Sequence, residues 1–166
     1  MIKYIKTLTI VVIIFLNAIS YAESVVVKDG DTIKLGSRNI RFYGIDAPES
    51  KQKCYCLNGT EWDCGIVAKS TLIELIAENE VNCITQSIDL YKREVAICYA
   101  GNIELNRLMV AKGMALAYRQ YSKKYVADEL LAKKQFVGIW ATAFMEPEQW
   151  RRYKKFEAKR AKSEKP

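Results

Sequence analysis

Two short acidic segments carry the residues whose types and spacing best suit chemistry. They are Asp29-Gly30-Asp31-Thr32 and Ile45-Asp46-Ala47-Pro48-Glu49. A two-residue turn between the intervening strands would pair Asp31 with Gly44 and place Asp46 diagonally beside Asp31 on one face. Converging carboxylates repel each other unless they share a proton or a cation, and hard oxygen ligands favour calcium or magnesium. The alternative is an ordinary Asp-Gly turn with unrelated surface acids.

The position of Arg41 depends on the backbone between these two segments. With the turn at Ser37-Arg38, strict strand alternation places Arg41 on the face opposite Asp31 and Asp46. A bend or bulge near Gly44 is required to bring the three side chains together. Without such a bend, Arg41 is a surface cation or a structural partner of another carboxylate.

The chain contains no histidine. This absence excludes histidine general bases, Ser/His and Cys/His nucleophile pairs, and histidine-containing zinc sites. Any catalysis must therefore use carboxylates, arginines, tyrosines, thiols or a hard metal ion.

The elements that must hold the acidic segments alternate between short strands and helices. Strands are predicted at residues 25–28, 32–35, 40–45, 81–87, 94–99 and 114–118. Helices are predicted at residues 63–79, 103–112 and 122–137, with Asp63 and Ser122 as the caps of the first and last. Because the hairpins are antiparallel, this order favours an α+β, mainly antiparallel protein. The expected fold is an OB-fold, a five-stranded β-barrel with three helices packed outside it.

Composition and charge divide the chain into three parts. A chain of 166 residues with 50% hydrophobic and 27% charged residues can form one compact domain, here expected at residues 23–150. The formal charge of +7 lies at the ends, because residues 1–22 carry two lysines and no acid, while residues 151–166 carry eight basic and two acidic residues. The body is close to neutral. The basic C-terminal tail at residues 151–166 either attracts polyanions or is a solvated, poorly ordered terminus.

Residues 1–22 are typical of a signal peptide. Two lysines precede an apolar run from Leu8 to Leu16, and small residues occupy both cleavage-site positions before residue 23. The run is short for a spanning helix, and an uncleaved membrane anchor is the alternative interpretation. In both cases the body of the protein is exported, periplasmic or secreted.

All five cysteines lie in the exported part, where disulfides persist and an odd number leaves one thiol over. If the turn between the fourth and fifth strands is centred between Leu90 and Tyr91, Cys83 faces Cys98 and the two can form a disulfide after slight adjustment. The alternative is a pair of small buried hydrophobic side chains. No CxxC pair is present, and the spacing fits neither a zinc ribbon nor a redox motif.

Five motifs match one known family in order and spacing. They are DGDT at 29–32, IRFYGIDAPE at 40–49, DLYKR at 89–93, NIELNRLMVAKGMALAY at 102–118 and GIW at 138–140. On these motifs the chain resembles the staphylococcal nuclease (thermonuclease) family of calcium-dependent phosphodiesterases, as an exported bacterial member. The resemblance runs from about Val25 to about Trp150. The family fold is an OB-type five-stranded barrel with three helices, in agreement with the element order.

The resemblance implies a metal site and a general base. Asp31, Asp46 and the main-chain carbonyl of Ala47 match the family's Ca²⁺ ligands, and Glu49 matches the carboxylate associated with the attacking water. Phosphodiester hydrolysis needs an activated water, charge neutralisation on the phosphate and help for the leaving oxygen. These groups supply that chemistry without histidine.

The resemblance also implies substrate-binding residues. Arg41 and Arg93 match the two arginines that contact the scissile phosphate, which for Arg41 requires the bend described above. Tyr91 and Tyr118 resemble tyrosines near the bound nucleotide. Lys92 stands where the family commonly has glycine, a departure that either changes the aim of Arg93 or adds a cation near the phosphate.

The resemblance extends to the cysteines. Exported bacterial relatives have cysteines at the positions of Cys54 and Cys64, which implies that these two pair and that Cys56 is the free thiol.

Together these patterns predict an exported, Ca²⁺-dependent endonuclease that hydrolyses DNA and RNA with little sequence specificity. We expect a monomer with no evident protein partner and with membrane contact only through the signal peptide. One alternative is a catalytically silent OB-fold module that binds nucleic acid, although such a binder has no need of Glu49 with two arginines. The other is a membrane-tethered envelope protein whose basic tail engages anionic lipid.

Overall fold

The computed structural model describes residues 23–163. The signal peptide predicted for residues 1–22 lies outside the described residues. Between residues 23 and 163, no helix combines the length and the apolar character needed to cross a membrane.

Ten strands occur within residues 23–163, and most of them are short. They are β1 (Val25–Asp29), β2 (Thr32–Leu35), β3 (Arg38–Phe42), β4 (Ile45–Asp46), β5 (Cys54–Tyr55), β6 (Glu61–Trp62), β7 (Val81–Ile88), β8 (Glu94–Ala100), β9 (Ile103–Glu104) and β10 (Leu116–Ala117). The main sheet has the order β1-β2-β3-β8-β7, and β9 adds to β8. Its neighbours are antiparallel except β3 and β8, which run parallel. The pairs β4–β10 and β5–β6 form two small separate sheets.

The described chain also forms four α-helices and one 3₁₀-helix. They are α1 (Cys64–Ile76), α2 (Leu105–Ala111), α3 (Val126–Lys134), the 3₁₀-helix (Gly138–Ala141) and α4 (Pro147–Ser163). The α+β, mainly antiparallel class is confirmed, with a curled five-stranded path at its centre. The first three helices lie where the sequence predicts them, and α4 is a fourth helix that the sequence prediction does not contain.

Helix α4 replaces the expected tail over residues 151–163, and the domain boundary expected after residue 150 falls inside it. The segment is rich in charged residues, and its apolar side chains Trp150, Tyr153 and Phe156 recur at intervals of three, a pattern that the sequence prediction did not use. Lysine, arginine, alanine and glutamate are good helix formers, and pairs spaced by four residues add support. Two such pairs are present, Arg152 with Glu148 and the Tyr153 hydroxyl with Glu157.

The β2–β3 hairpin closes earlier than the sequence suggests. Leu35 pairs with Arg38, so the two-residue turn is Gly36-Ser37 and not Ser37-Arg38. Gly36 has a φ of +54°, which a glycine adopts without steric cost and which tight hairpin turns favour. The predicted pairing of Asp31 with Gly44 is therefore wrong by two residues. A shift of two leaves every side chain on its predicted face.

The β7–β8 hairpin has the expected register at its cysteines. Cys83 pairs with Cys98 and the two form a disulfide. A second disulfide joins Cys54 to Cys64, and Cys56 is a free cysteine.

The main core lies between the sheet and helices α1 and α2. Ile33, Ile40, Leu72 and Met109 are completely buried there. Asn106 of α2 is also completely buried, and its side chain satisfies three main-chain groups. Its amide donates to the carbonyls of Tyr43 (3.0 Å) and Ala96 (3.1 Å), while its oxygen accepts from the N–H of Cys98 (2.9 Å). This asparagine ties α2 to β8 and to the end of β3.

Neither predicted helix cap is formed by its side chain. Asp63 precedes α1 but makes no capping hydrogen bond, because its carboxylate binds Lys53 Nζ at 2.6 Å. Helix α3 begins at Val126, and the hydroxyl of Ser122 accepts from the N–H of Lys124 before the helix starts.

Candidate active site

Asp31 and Asp46 form a buried carboxylate pair, each only 3% exposed. Asp31 lies in the tight connection between β1 and β2, and Asp46 ends β4, which pairs with β10. The N–H of Ala47 donates to Oδ2 of Asp31 at 3.0 Å. The structure thus brings the two acidic segments into direct contact.

Arg41 of β3 lies between the two carboxylates. Its Nη1 donates to Oδ1 of Asp31 at 3.1 Å, and its Nη2 donates to Oδ1 of Asp46 at 2.7 Å. Strand β3 ends at Phe42, and Gly44 has a φ of +72°, a left-handed conformation that suits glycine. The bend required by the sequence argument is present between Arg41 and Asp46, while Asp31 reaches Arg41 from the connection between β1 and β2.

A second guanidinium, that of Arg151 in α4, binds Asp46 and the nearby Glu49. Nη1 of Arg151 donates to Oδ1 of Asp46 and to Oε1 of Glu49, both at 2.9 Å, and its Nη2 donates to Oδ2 of Asp46 at 3.0 Å. Sequence reasoning assigned Arg151 to the tail and missed its place in the site. The tail sequence holds no pattern that separates Arg151 from the basic residues around it.

Glu49 is positioned by its own turn and by the start of α1. Its N–H donates to the side chain of Gln52 at 3.3 Å, and its carbonyl accepts from the N–H of Gln52 at 2.7 Å. A Cβ atom placed at Gly65 would lie 1.8 Å from the Glu49 carbonyl oxygen, so only glycine permits this approach. The neighbouring Cys64 is fixed by its disulfide to Cys54.

These groups border an open cleft of about 900 Å³. Five of the side chains singled out from the sequence line it: Arg41, Glu49, Tyr91, Arg93 and Tyr118. Asp29 lines it as well, and sequence reasoning overlooked this residue although it begins the first acidic segment. Four others do not belong to its lining in the described part of the chain: Asp31, Asp46, Ala47 and Lys92.

The turn between β7 and β8 forms the opposite wall of the cleft. Nε of Arg93 donates to Oδ2 of Asp89 at 2.7 Å, and the guanidinium lies 5.4 Å from the centre of the Tyr91 ring. Burial acts to raise the pKa of Asp89, but hydrogen bonds from Arg93 and Tyr91 outweigh it and lower that pKa. Lys92, in this turn, has a φ of +61°. The left-handed backbone conformation costs a residue with a side chain about 1 kcal/mol.

Aromatic rings line the cleft near α4. The rings of Tyr118 and Tyr121 lie 4.9 Å apart, and the hydroxyl of Tyr43 donates to the carbonyl of Tyr121. Burial raises the pKa of Tyr118, and the nearby Glu148 carboxylate raises it further. The cleft therefore combines guanidinium groups with neutral aromatic surface, the combination that binds phosphates and bases.

Burial and charge oppose each other at the carboxylates. Burial raises the pKa of Asp29 to about 7, and repulsion from Asp31 contributes. Burial also raises the pKa of Asp46, although hydrogen bonds from Arg151 oppose this rise. For Arg41, burial acts to lower the pKa, but attraction to Asp31 and Asp46 outweighs it and raises the pKa. The buried carboxylates of the site therefore stabilise a positive charge placed between them.

The described residues include no group of three or more Asp, Glu, His or Cys side chains arranged to hold a metal ion. The ligands implied by resemblance are instead two carboxylates and a main-chain carbonyl, those of Asp31, Asp46 and Ala47. Asp31, Asp46 and Glu49 bring three carboxylates to the two guanidiniums, and Asp29, which accepts a hydrogen bond from the N–H of Asp31, lies beside them. This excess of hard, negatively charged oxygen fits a divalent cation such as calcium.

The chain belongs to the family described as staphylococcal nuclease homologues, whose model matches residues 39–142. Residues 39–142 include all of β3 but its first residue, β4 and the β7–β8 hairpin, whereas β1, β2 and α4 lie outside the match. The fold of this family is the OB-fold, and the recognition made from the sequence motifs is confirmed.

Individual relatives agree with the family assignment. The chain is 34% identical over 151 residues to a micrococcal nuclease of Shigella flexneri, an alignment that covers 80% of this chain and 81% of that protein. It is 34% identical over 137 residues to an uncharacterized endonuclease of Haemophilus influenzae, covering 78% of this chain and 71% of that protein. A staphylococcal-like nuclease, CAN1, of Arabidopsis thaliana is 29% identical over 119 residues, an alignment that covers 70% of this chain and 34% of that protein.

Proposed function

We propose that the protein is a Ca²⁺-dependent endonuclease that hydrolyses phosphodiester bonds in DNA and RNA with little sequence specificity. The family and the named nuclease relatives support phosphodiester hydrolysis. The observation that carries the proposal is the shared cleft of Glu49, Arg41 and Arg93, with the buried carboxylates of Asp31 and Asp46 in contact with Arg41. A site that only bound nucleic acid would not need a carboxylate facing the phosphate.

Each side chain of the cleft has a role in this reaction. Glu49 accepts the proton of the attacking water, a general-base role that typically contributes about 10²–10⁴-fold. Arg41 and Arg93 donate hydrogen bonds to the phosphoryl oxygens, and these bonds strengthen as negative charge develops in the transition state. Tyr91 and Tyr118 provide aromatic surface for the sugar and base. Lys92 adds positive charge beside the turn that carries Arg93.

Calcium is the cofactor that the donor set fits. Asp31, Asp46 and the carbonyl of Ala47 would hold it beside the cleft. The carboxylate oxygens that would bind calcium now accept hydrogen bonds from the guanidinium groups of Arg41 and Arg151. Once bound, calcium would polarise a phosphoryl oxygen and orient the attacking water.

The protein is proposed to work outside the cytoplasm as a monomer. Two disulfides in a chain of this size fit an oxidising compartment, the periplasm or the medium. Export through the signal peptide at residues 1–22 would account for that location.

Digestion of plasmid DNA, single-stranded DNA and RNA tests the proposal. We expect cleavage of all three with calcium, slower cleavage with magnesium, and none in excess chelator. Asp31→Ala and Glu49→Gln are expected to be inactive, while Glu74→Gln on the exposed face of α1 serves as the charge-matched control. Undiminished cleavage in chelator would contradict the calcium assignment. Full activity of Glu49→Gln would contradict the general-base role.

A further inference from the structure

Four of the seven basic residues of helix α4 lie on one face. Arg152, Lys155, Lys159 and Lys162 follow one another at intervals of three or four residues, which places them along a single side of an α-helix. All four are exposed. We call these four residues the basic stripe.

The basic stripe continues the wall of the cleft. Arg152 and Lys155 line the cleft together with Arg41 and Arg93. Arg151 anchors the same end of α4 to Asp46 and Glu49 (contacts given above), and Gln120 donates to Oε2 of Glu148 at 3.2 Å. The anchoring directs the stripe away from the site along the helix axis.

Three of the four charges of the stripe lack an acidic partner among residues 23–163, while Arg152 pairs with Glu148. Within residues 23–163, Lys155, Lys159 and Lys162 form no ion pair, whereas Lys154 on another side of the helix binds Glu157 at 2.7 Å. Surface cations without acidic partners gain more from an approaching polyanion than paired ones do, because no existing ion pair has to be broken.

We propose that the basic stripe binds the phosphodiester backbone of the nucleic acid strand that enters the cleft, several nucleotides away from the bond that is cut. This proposal rests on the proposed function, which supplies the strand. From Arg152 to Lys162 the helix rises about 15 Å, at about 1.5 Å per residue. That length matches about four successive phosphates on one strand of a duplex, spaced about 3.4 Å along its axis.

Continuity with the cleft favours nucleic acid over an anionic membrane as the occupant. The stripe begins at residues that line the cleft, beside guanidiniums suited to phosphate, so one polyanion can contact both. A membrane lying flat against the stripe would instead cover the mouth of the cleft.

Binding of duplex DNA in chelator, measured by fluorescence anisotropy over a series of salt concentrations, tests the proposal without cleavage. The variant Lys159→Gln/Lys162→Gln, at the two stripe residues outside the cleft lining, is compared with Lys154→Gln/Arg160→Gln, which removes the same charge from other sides of α4. We expect the stripe variant to lose affinity on the order of tenfold at low salt and to reduce the slope of log K against log salt by about 2. The control is expected to lose much less.

A dinucleotide and vesicles of anionic phospholipid complete the experiment. The stripe and control variants should bind the dinucleotide alike, because it does not extend along α4. Equal losses of duplex affinity in both variants would overturn the proposal, since net charge alone would then explain binding. Loss of vesicle binding with unchanged DNA binding would assign the stripe to a membrane. An inactive protein whose DNA affinity still depends on the stripe would refute only the nuclease function.

Discussion

Arg151 and Glu49, 102 residues apart in sequence, are joined by a 2.9 Å hydrogen bond between Nη1 and Oε1. The same guanidinium also binds both oxygens of Asp46, whose side chain is 4% exposed. Arg151 of α4 therefore neutralises part of the negative charge of the carboxylates in the site.

Replacement of Arg151 by glutamine is expected to destabilise the protein in chelator. Asp46 would keep Arg41 but lose two hydrogen bonds from a cation, and a partly exposed pair of this kind contributes about 2 kcal/mol. Urea unfolding in chelator measures the loss. Arg152→Gln, at the exposed neighbouring position, should leave the unfolding midpoint almost unchanged, and equal stability of both variants would show that Arg151 is not needed to balance Asp46.

Arg41→Lys and Arg93→Lys are each expected to lower turnover by on the order of 10²-fold or more. Lysine keeps the charge but cannot present two parallel donors to a phosphate. Initial rates on single-stranded DNA measure the effect. Arg38→Lys is the control, because Arg38 binds Glu94 outside the cleft.

The two arginine variants should differ in stability. Arg41 also binds two buried aspartates, so Arg41→Lys should unfold at lower urea concentration than Arg93→Lys. Near-normal turnover of Arg93→Lys would mean that Lys92 replaces Arg93 at the phosphate.

The Cys54–Cys64 disulfide should matter more for activity than the Cys83–Cys98 disulfide. It closes a ten-residue separation, worth about 2.7 kcal/mol in the chain-entropy model, and it fixes the start of α1 beside the Glu49 turn. We expect Cys54→Ser/Cys64→Ser to lose turnover under conditions where circular dichroism still reports a folded barrel. Cys83→Ser/Cys98→Ser is the matched comparison, and a larger loss of turnover there would contradict this order.

Stability at low pH should depend on Glu94. Hydrogen bonds from Arg38 and Thr85 hold the pKa of Glu94 at about 2, below its usual range. The stabilisation is therefore complete above the unfolded pKa of about 4.3 and is lost as the pH falls toward 2. Glu94→Gln should lower the free energy of unfolding at neutral pH by about 1 kcal/mol or less, measured as a lower thermal midpoint. The difference from the unmutated protein should vanish near pH 2. Glu78→Gln, at an exposed position, should show no such pH dependence.

Features set by local signals could be predicted from the sequence. The pairing of Cys83 with Cys98 was predicted from a turn centred between Leu90 and Tyr91. Next to the turn the strands pair one residue differently, Ile88 with Glu94, and a bulge between Thr85 and Ser87 restores the predicted register at the cysteines.

The convergence of Asp31 and Asp46 was predicted from side-chain alternation, although Asp46 lies in β4, beyond the bend at Gly44. The turn predicted at Ser37-Arg38 was wrong, because the structure places it at Gly36-Ser37, where Gly36 takes a φ of +54°.

Features set by contacts distant in sequence could not be predicted. Helix α4 has apolar side chains at Trp150, Tyr153 and Phe156, spaced by three residues, but its many charged residues make the segment resemble a solvated tail. Arg151 differs from Arg152 only in the direction of its side chain, a property of tertiary structure. The Cys54–Cys64 pair was implied by family resemblance, since no local pattern joins a two-residue strand to the start of α1.

The separation between Asp46 and Arg151 has a consequence for the order in which the protein matures. As the chain is synthesised from its N-terminus, the aspartates and Glu49 are made about a hundred residues before the guanidinium that balances them. A nascent chain that has folded its first hairpin therefore holds its acidic residues without Arg151. The hydrogen bonds from Arg151 to Asp46 and Glu49 form only when α4 docks, so the site is completed after the last helix of the described chain has been made.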